Sequence, residues 1–501
     1  MRTGYCVAGA GACAATCPVV GQERLRSRGD LLDVYDYVAY DAIGLRDLLR
    51  AGDVTIREVE QAAREALSSV DETLNALAGP LFEPAAHHDA RGDFAGVPFV
   101  VKDSGPFVSG SPFHVGSRAV NAAVALDDHA LMKLLRRSGF VGLGRSTMPE
   151  FGLSFATESP RHGITRNPWD PTLGAGGSSG GAAALVASGA VPFAHANDSG
   201  GSIRVPASSC GVIGLKPSRG RTPCGPFVGQ AGFGQTSEFV ITRTIRDTAH
   251  LLDVCAGATD GDKFGLPRPR HPFVDAVTSD PGRLRVAALE SAWGGGSLST
   301  EVAEITGTTA ALLEWIGHDV TGAPLILDLD EVIEASMLTV FATGLSVLES
   351  APSIDRSLLQ AVPRTVLRES AAASAADVAR ASAAENRVTR QVAEFFEEHD
   401  LLLTPTMVNL PPAHGTLDYD DPGHDARSWL RRIYDLAPFT AAFNVSGNPA
   451  ISLPIGLSRE GVPIGIQLVA ARGREDLLIS VAAQLEHAAP WAARTPRVTP
   501  R

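Results

Sequence analysis

The chain is short of lysine. Of its 43 basic residues only four are lysines, at Lys102, Lys133, Lys216 and Lys263, and the rest are arginine. Basic charge is outweighed overall: 56 acidic residues give a formal net charge of −13. An acidic surface lacks the basic footprint that nucleic-acid binding requires. Cysteine is also scarce, with six in 501 residues, three of them at Cys6, Cys13 and Cys17. No Cys-x-x-Cys or His-Glu-x-x-His pair occurs, so the common zinc motifs are absent, and no disulfide framework is suggested. Such usage points to a reducing, cytoplasmic setting. No run of 18 apolar residues is present, so no membrane span or membrane partner is expected. The opening "MRTGYCVAGAGACAATCPVVG" lacks the apolar centre of a signal peptide.

What the chain does have is apolar content of 44%, enough for a large buried core. Regular structure is expected from about residue 37, after a disordered leader over 1–36. "TIREVEQAAREAL" begins with Thr55 and has Glu58 three positions on, a capping-box helix start. "AGVPFVVKD" reads as a buried strand, "DDHALMKLLRRSG" as a helix ended by glycine, and "FVGLGRST" as the next strand. This alternation runs to about residue 260, the pattern of an α/β sheet. Residues 296–400 are alanine-rich and mostly helical. "NPAISLPIG" and "VPIGIQLVA" are two further buried strands joined by a turn near Gly461. The expected architecture is α/β: a large mixed β-sheet core covered by helices. It is read as a single domain over 37–495, with 296–400 as a helical insertion that shapes the substrate pocket.

Two glycine–serine clusters carry the chemistry. "GAGGSSGGAAALVASG" (174–189) leads directly into a buried helix, which a flexible linker does not do. It lacks the lysine of a phosphate loop and the spacing of a dinucleotide loop. Ser178 formally fits Gly-x-Ser-x-Gly, but "RNPWDPTLGA" before it is turn-rich, not a strand. The second cluster is "NDSGGSIRVPASSCGVIGLKP" (197–217), in which Ser202 follows two glycines. Backbone N–H groups there could converge on an oxyanion, and Ser202 would then be a nucleophile in need of a base. His195 is near in sequence, but its setting "PFAHAND" reads as a packed histidine. Lys102 ends an apolar strand, where burial lowers an amine's pKa and makes it a competent base. It reads equally as a strand-end lysine paired with Asp103.

Lys102 in "VVKD", Ser178 in "GGSSGG" and Ser202 in "SGGSIR" together resemble the amidase signature family, with the motif matched from Gly176 to Pro217 and the resemblance running from about residue 40 to 495. The resemblance implies that Ser202 attacks an amide carbonyl and that Ser178, held through a cis peptide, relays its proton to Lys102. It also implies an oxyanion hole from the N–H groups of Ser199, Gly200, Gly201 and Ser202. Asp198 and Arg204 would pair to hold this loop. The family uses no metal or cofactor, and the implied partner is a small-molecule amide, with a homodimer as the expected assembly. Two positions depart from the usual motif, Ser199 and Ser218, and neither removes a catalytic atom. "HANDSGGSIRVPASSCGVIGLKPSRGR", "GITRNPW", "PFTAAFNVSGNPAISLPIG" and "ARGREDLLISVAAQLE" resemble one branch that takes linear or cyclic amides. An aryl- or alkyl-acylamidase is the alternative. A further one is a non-hydrolytic amidotransferase A-like subunit, although "SRGRTPCGPFVGQ" stands where that branch has "YGRVSR". In the helical region "EASMLTVFATGL", with Met337 and Phe341, is the candidate pocket wall.

Overall fold

The computed structural model describes residues 32–501, apart from 122, 290, 323, 324, 352 and 353. Ten strands form one sheet: β1 (Pro98–Lys102), β2 (Val141–Ser146), β3 (Phe193–Asp198), β4 (Ile213–Lys216), β5 (Ser237–Thr242), β6 (Arg285–Ala288), β7 (Asp319–Thr321), β8 (Leu401–Pro405), β9 (Ala450–Leu457) and β10 (Pro463–Ala470). Their order across the sheet is β7-β6-β8-β10-β9-β4-β5-β3-β1-β2. Parallel pairs at both ends flank an antiparallel middle, so the sheet is mixed.

Strand side chains alternate between two faces, and each face feeds its own core. Leu401, Leu403, Ile451 and Leu468 point into one cluster, with the N-terminal helices. Leu402, Ala450 and Val469 point into the other, with the helices of the 325–445 region. This explains why every residue of "LLLTP" is buried: both faces of β8 are covered.

Local signals account for many element ends. Thr55 and Glu58 form the capping box of the Ile56–Leu74 helix. Gly461 lies in the β9–β10 turn at φ +82°, a left-handed conformation that glycine adopts without a Cβ penalty. Of the expected leader, residues 1–31 lie outside the described residues, while Val34–Val38 is a short helix with Val34 and Tyr37 buried. Cys6, Cys13 and Cys17 likewise lie outside the described residues. The 296–400 stretch contains the helices Thr300–Trp315, Leu329–Ser350, Ala361–Ala372 and Ala375–Glu398, together with β7, which pairs with β6 at the sheet edge. Leu329–Ser350 is long and apolar enough to cross a membrane by length and composition. It lies instead against Ala361–Ala372 and Ala375–Glu398, with its apolar side in the second core.

Candidate active site

Three chain segments meet at Lys102, the last residue of β1, whose side chain is fully buried. Its Nζ lies 2.7 Å from Ser178 Oγ, 2.8 Å from Ser179 Oγ and 2.6 Å from Asn197 Oδ1. Burial pushes the amine from its ordinary 10.5 down to about 7, against the opposing pull of Glu238 and Asp198. Lys102 therefore does not pair with Asp103, whose carboxylate accepts from the backbone N–H groups of His114 and Gly116.

Ser178 and Ser179 precede the helix Gly180–Ala187, and the Gly177–Ser178 peptide is cis. Ser179 holds the N-cap position, yet its side chain makes no cap bond; its hydroxyl is turned to Lys102. The orphan N–H of Gly180 is satisfied by Thr157 Oγ1 at 3.1 Å, and the same hydroxyl donates to Gly176 O at 2.8 Å. Gly177 is required by close approach, since a Cβ there would lie 2.5 Å from the Ser154 carbonyl oxygen.

β3 delivers the second cluster. Asp198, at its end, accepts from the N–H groups of Gly201 (2.7 Å) and Ile203 (3.1 Å) and pairs with Arg204 at 2.9 Å. Both side chains of the pair are fully buried. Arg204 also donates to Thr440 O, Gln467 Oε1 and Asn444 Oδ1, so its fork is saturated. Burial pushes the Asp198 carboxyl up, but the Arg204 guanidinium and the loop N–H groups hold it well below the usual carboxylate range. Gly201, at φ +143°, lets the loop turn here. Its N–H is taken by Asp198, so among the four N–H groups assigned to an oxyanion hole only those of Ser199, Gly200 and Ser202 have no acceptor among the described residues.

Ser202 lies in the wall of a cleft with about 350 Å³ of atom-free space, mouth included. Its hydroxyl makes no hydrogen bond to Ser178 among the described residues, so Lys102 and Ser178 are joined while Ser202 faces the cleft. Ser199, Gly200, Tyr434, Ser336, Thr339 and Val340 share the lining, and no lining side chain is charged. The wall from the Leu329–Ser350 helix is thus Ser336, Thr339 and Val340. Met337 and Phe341, one position further round the helix, are buried in the second core instead.

His195 is packed, as its setting suggested: it is fully buried and stacked on Phe107, with ring centroids 3.8 Å apart. It is also bonded, through Nε2 to Glu238 (2.8 Å) and through Nδ1 to the backbone N–H of Lys102 (3.3 Å). Sequence reasoning passed over Ser179, Asn197 and Glu238. Ser179 and Asn197 adjoin flagged residues and so left a signal; Glu238, on β5, left none. Among the described residues no group of three or more His, Cys, Asp or Glu side chains could hold a metal ion.

A buried amine on a serine hydroxyl, beside a glycine loop that presents a second serine to a neutral cleft, is equipment for acyl transfer. The chain belongs to the amidase family, whose model matches residues 51–479, and it is an amide-hydrolysing enzyme. Within that family it is similar to the 6-aminohexanoate-cyclic-dimer hydrolase of Paenarthrobacter ureafaciens, at 38% identity over 476 residues, 91% of this chain and 96% of the relative. A solved structure of 6-aminohexanoate cyclic dimer hydrolase superposes with a TM-score of 0.85 at 34% identity, covering 93% of this chain and 99% of that one. A bacterial aryl acylamidase of the amidase signature family superposes with a TM-score of 0.79 at 26% identity, covering 90% and 97%. The four sequence runs quoted above as marking one branch resemble the first of these enzymes.

Proposed function

We propose that the chain hydrolyses a carboxylic amide through an acyl-enzyme on Ser202, with Ser178 as proton relay and Lys102 as base. The observation that carries this is the 2.7 Å contact between the Lys102 amine and Ser178 Oγ in a site that favours the neutral amine. Substrate binding brings the Ser202 hydroxyl onto Ser178, a contact that commonly tightens only in the complex. Ser178 takes the proton of Ser202 as it passes its own to Lys102. Ser202 Oγ bonds to the carbonyl carbon, and the oxyanion sits against the N–H groups of Ser199, Gly200 and Ser202. Each such donor contributes about 2.7–4 kcal/mol of transition-state stabilisation. Gly201 serves the hole indirectly, its N–H anchoring the loop to Asp198. The proton returns through Ser178 to the amide nitrogen, the C–N bond breaks and the amine leaves. Water then attacks the ester by the same relay and frees the acid.

The uncharged lining suits a neutral linear or cyclic amide, and the similarity to 6-aminohexanoate-cyclic-dimer hydrolase supports that cyclic dimer as the first candidate. The Ser336, Thr339 and Val340 lining supports a role for the helical 296–400 region in the substrate pocket. The free thiols of Cys210, Cys224 and Cys255 suit a cytoplasmic enzyme. Steady-state hydrolysis of 6-aminohexanoate cyclic dimer, simple aliphatic amides and acyl anilides tests the reading, together with acid quenching and mass mapping of the acyl group. Turnover of at least one amide with an acyl adduct on Ser202 is expected. Turnover with the acyl group on another residue would overturn the mechanism.

A further inference from the structure

Behind Lys102 stand side chains that the reaction above does not use. The direction of each hydrogen bond follows from what the groups can donate and accept. A carboxylate only accepts. Glu238 Oε1 therefore takes the amide N–H of Asn197 at 3.2 Å, which turns Asn197 Oδ1 toward the Lys102 amine at 2.6 Å. Glu238 Oε2 takes the Nε2–H of His195 at 2.8 Å, which leaves Nδ1 to accept the Lys102 backbone N–H at 3.3 Å. One carboxylate thus sets the amide orientation of one neighbour and the tautomer of the other. Ser179 donates to the Asn197 carbonyl at 3.3 Å and so accepts from Lys102 at 2.8 Å. A neutral amine has two N–H bonds and one lone pair. Asn197 Oδ1 and Ser179 Oγ take the two N–H bonds. The lone pair is left for the Ser178 hydroxyl, 2.7 Å away.

We propose that Glu238 is a positioning residue for Lys102. Through Asn197 and His195 it orients the amine so that the lone pair meets the Ser178 hydroxyl, and its charge balances the ammonium formed when the proton arrives. This rests on the serine–lysine reading given above. The charged groups facing the amine are Glu238 and Asp198. Glu238 is in turn faced by His195 and His129, both pushed down by burial and so uncharged near neutral pH, and Arg145 faces His195. Burial pushes Glu238 up, but the hydrogen bonds it accepts from His195 and Asn197 bring it below its ordinary value, so it is ionised. Glu238 does not line the cleft.

The test is kcat/KM against pH for Glu238→Gln in the full chain, with active enzyme counted by fluorophosphonate labelling. Loss of the negative charge makes Lys102 release its proton more readily, so the midpoint of the rising limb moves toward acid by about one pH unit. The plateau kcat falls about tenfold or more as the lone pair loses its aim, while KM stays within about threefold because the cleft is untouched. Glu238→Asp keeps the charge and holds the midpoint near that of the wild type, which also serves if the Gln variant does not fold. An unmoved midpoint in Glu238→Gln, or a midpoint that moves as far in Glu238→Asp, would overturn the proposal. A wild-type chain that takes no label on Ser202 would fail the serine–lysine reading itself; label on Ser202 with an unmoved midpoint fails Glu238 alone.

Discussion

Lys102 and Lys216 are the two buried lysines of the sheet, and burial pushes both amines down to about 7. Their surroundings differ. Lys102 meets three side-chain oxygens, two of them serine hydroxyls. Lys216, at the end of β4, donates to its neighbour's carbonyl, Pro217 O, at 2.8 Å, and is faced by Arg204, Asp198, Arg219 and Glu475. A lowered proton affinity is thus not enough to make a base. Burial supplies it in both places, and only at Lys102 is there a hydroxyl in line to give up a proton.

The sharpest way to break this comparison is to remove each amine in turn. Lys102→Met is expected to lower kcat/KM by about 10²–10⁴-fold, the usual worth of a positioned base. Lys216→Met, measured on the same amide, is expected to stay within about tenfold, since no reacting group lies against it. Comparable losses in the two variants would remove the distinction.

Next in size is the buried pair that stands near both lysines. Asp198→Asn leaves the Arg204 charge without its partner, and denaturant unfolding should show a loss of about 3–5 kcal/mol. The loop bearing Ser202 loses its anchor at the same time, so labelling of Ser202 should slow.

The pH dependence separates the lysines more finely. Activity follows the neutral fraction of Lys102, so kcat/KM should rise with pH through about 7 and level off above it. Stability follows both amines. Below about 7 the folded and unfolded chains both carry the protons, and these groups add no slope. Between about 7 and the ordinary 10.5 the unfolded chain holds protons that the folded chain has released, so stability climbs with pH. The slope is at most about 1.4 kcal/mol per pH unit for each lysine. Lys216→Met should flatten the stability curve and leave the activity limb in place. Urea midpoints and kcat/KM over the same pH series check this.

The smallest effect belongs to a site remote from both lysines. Thr55→Ala removes the capping box of the Ile56–Leu74 helix and should cost about 1 kcal/mol in thermal or denaturant unfolding, without moving the pH profile.

Legibility in the sequence followed the range of the interactions. The capping box at Thr55, the strands around Lys102 and the β9–β10 hairpin are written in adjacent residues, and the structure has them. Lys102, Ser178 and Ser202 were legible because their types and spacings match a family motif. Their partners were not, because those contacts depend on strand register. Glu238 reaches His195 and Asn197 only because β5 pairs antiparallel with β3, placing Glu238 opposite Asn197. Helix phase had the same effect at the cleft. The apolar run of Leu329–Ser350 marks a buried helix, but its buried residues spread over more than one face and do not say which stripe faces the substrate. Met337 and Phe341 were the conspicuous choices, and Ser336, Thr339 and Val340 are the wall. Strand β7 is three residues long and has no apolar run, and its place in the sheet comes from pairing with β6.

The central claim is that Ser202 is a nucleophile activated through Ser178 by the neutral amine of Lys102. It is tested most directly by the rate of fluorophosphonate labelling against pH, with peptide mapping, for the wild type beside Ser202→Ala, Ser178→Ala, Lys102→Met and Lys216→Met. The account predicts one adduct, on Ser202, at a rate that rises through pH about 7. Labelling should be abolished by Ser202→Ala, strongly slowed by Ser178→Ala and Lys102→Met, and nearly unchanged by Lys216→Met. An adduct on Ser178, or labelling of Ser202 at a wild-type rate without Lys102, would contradict it.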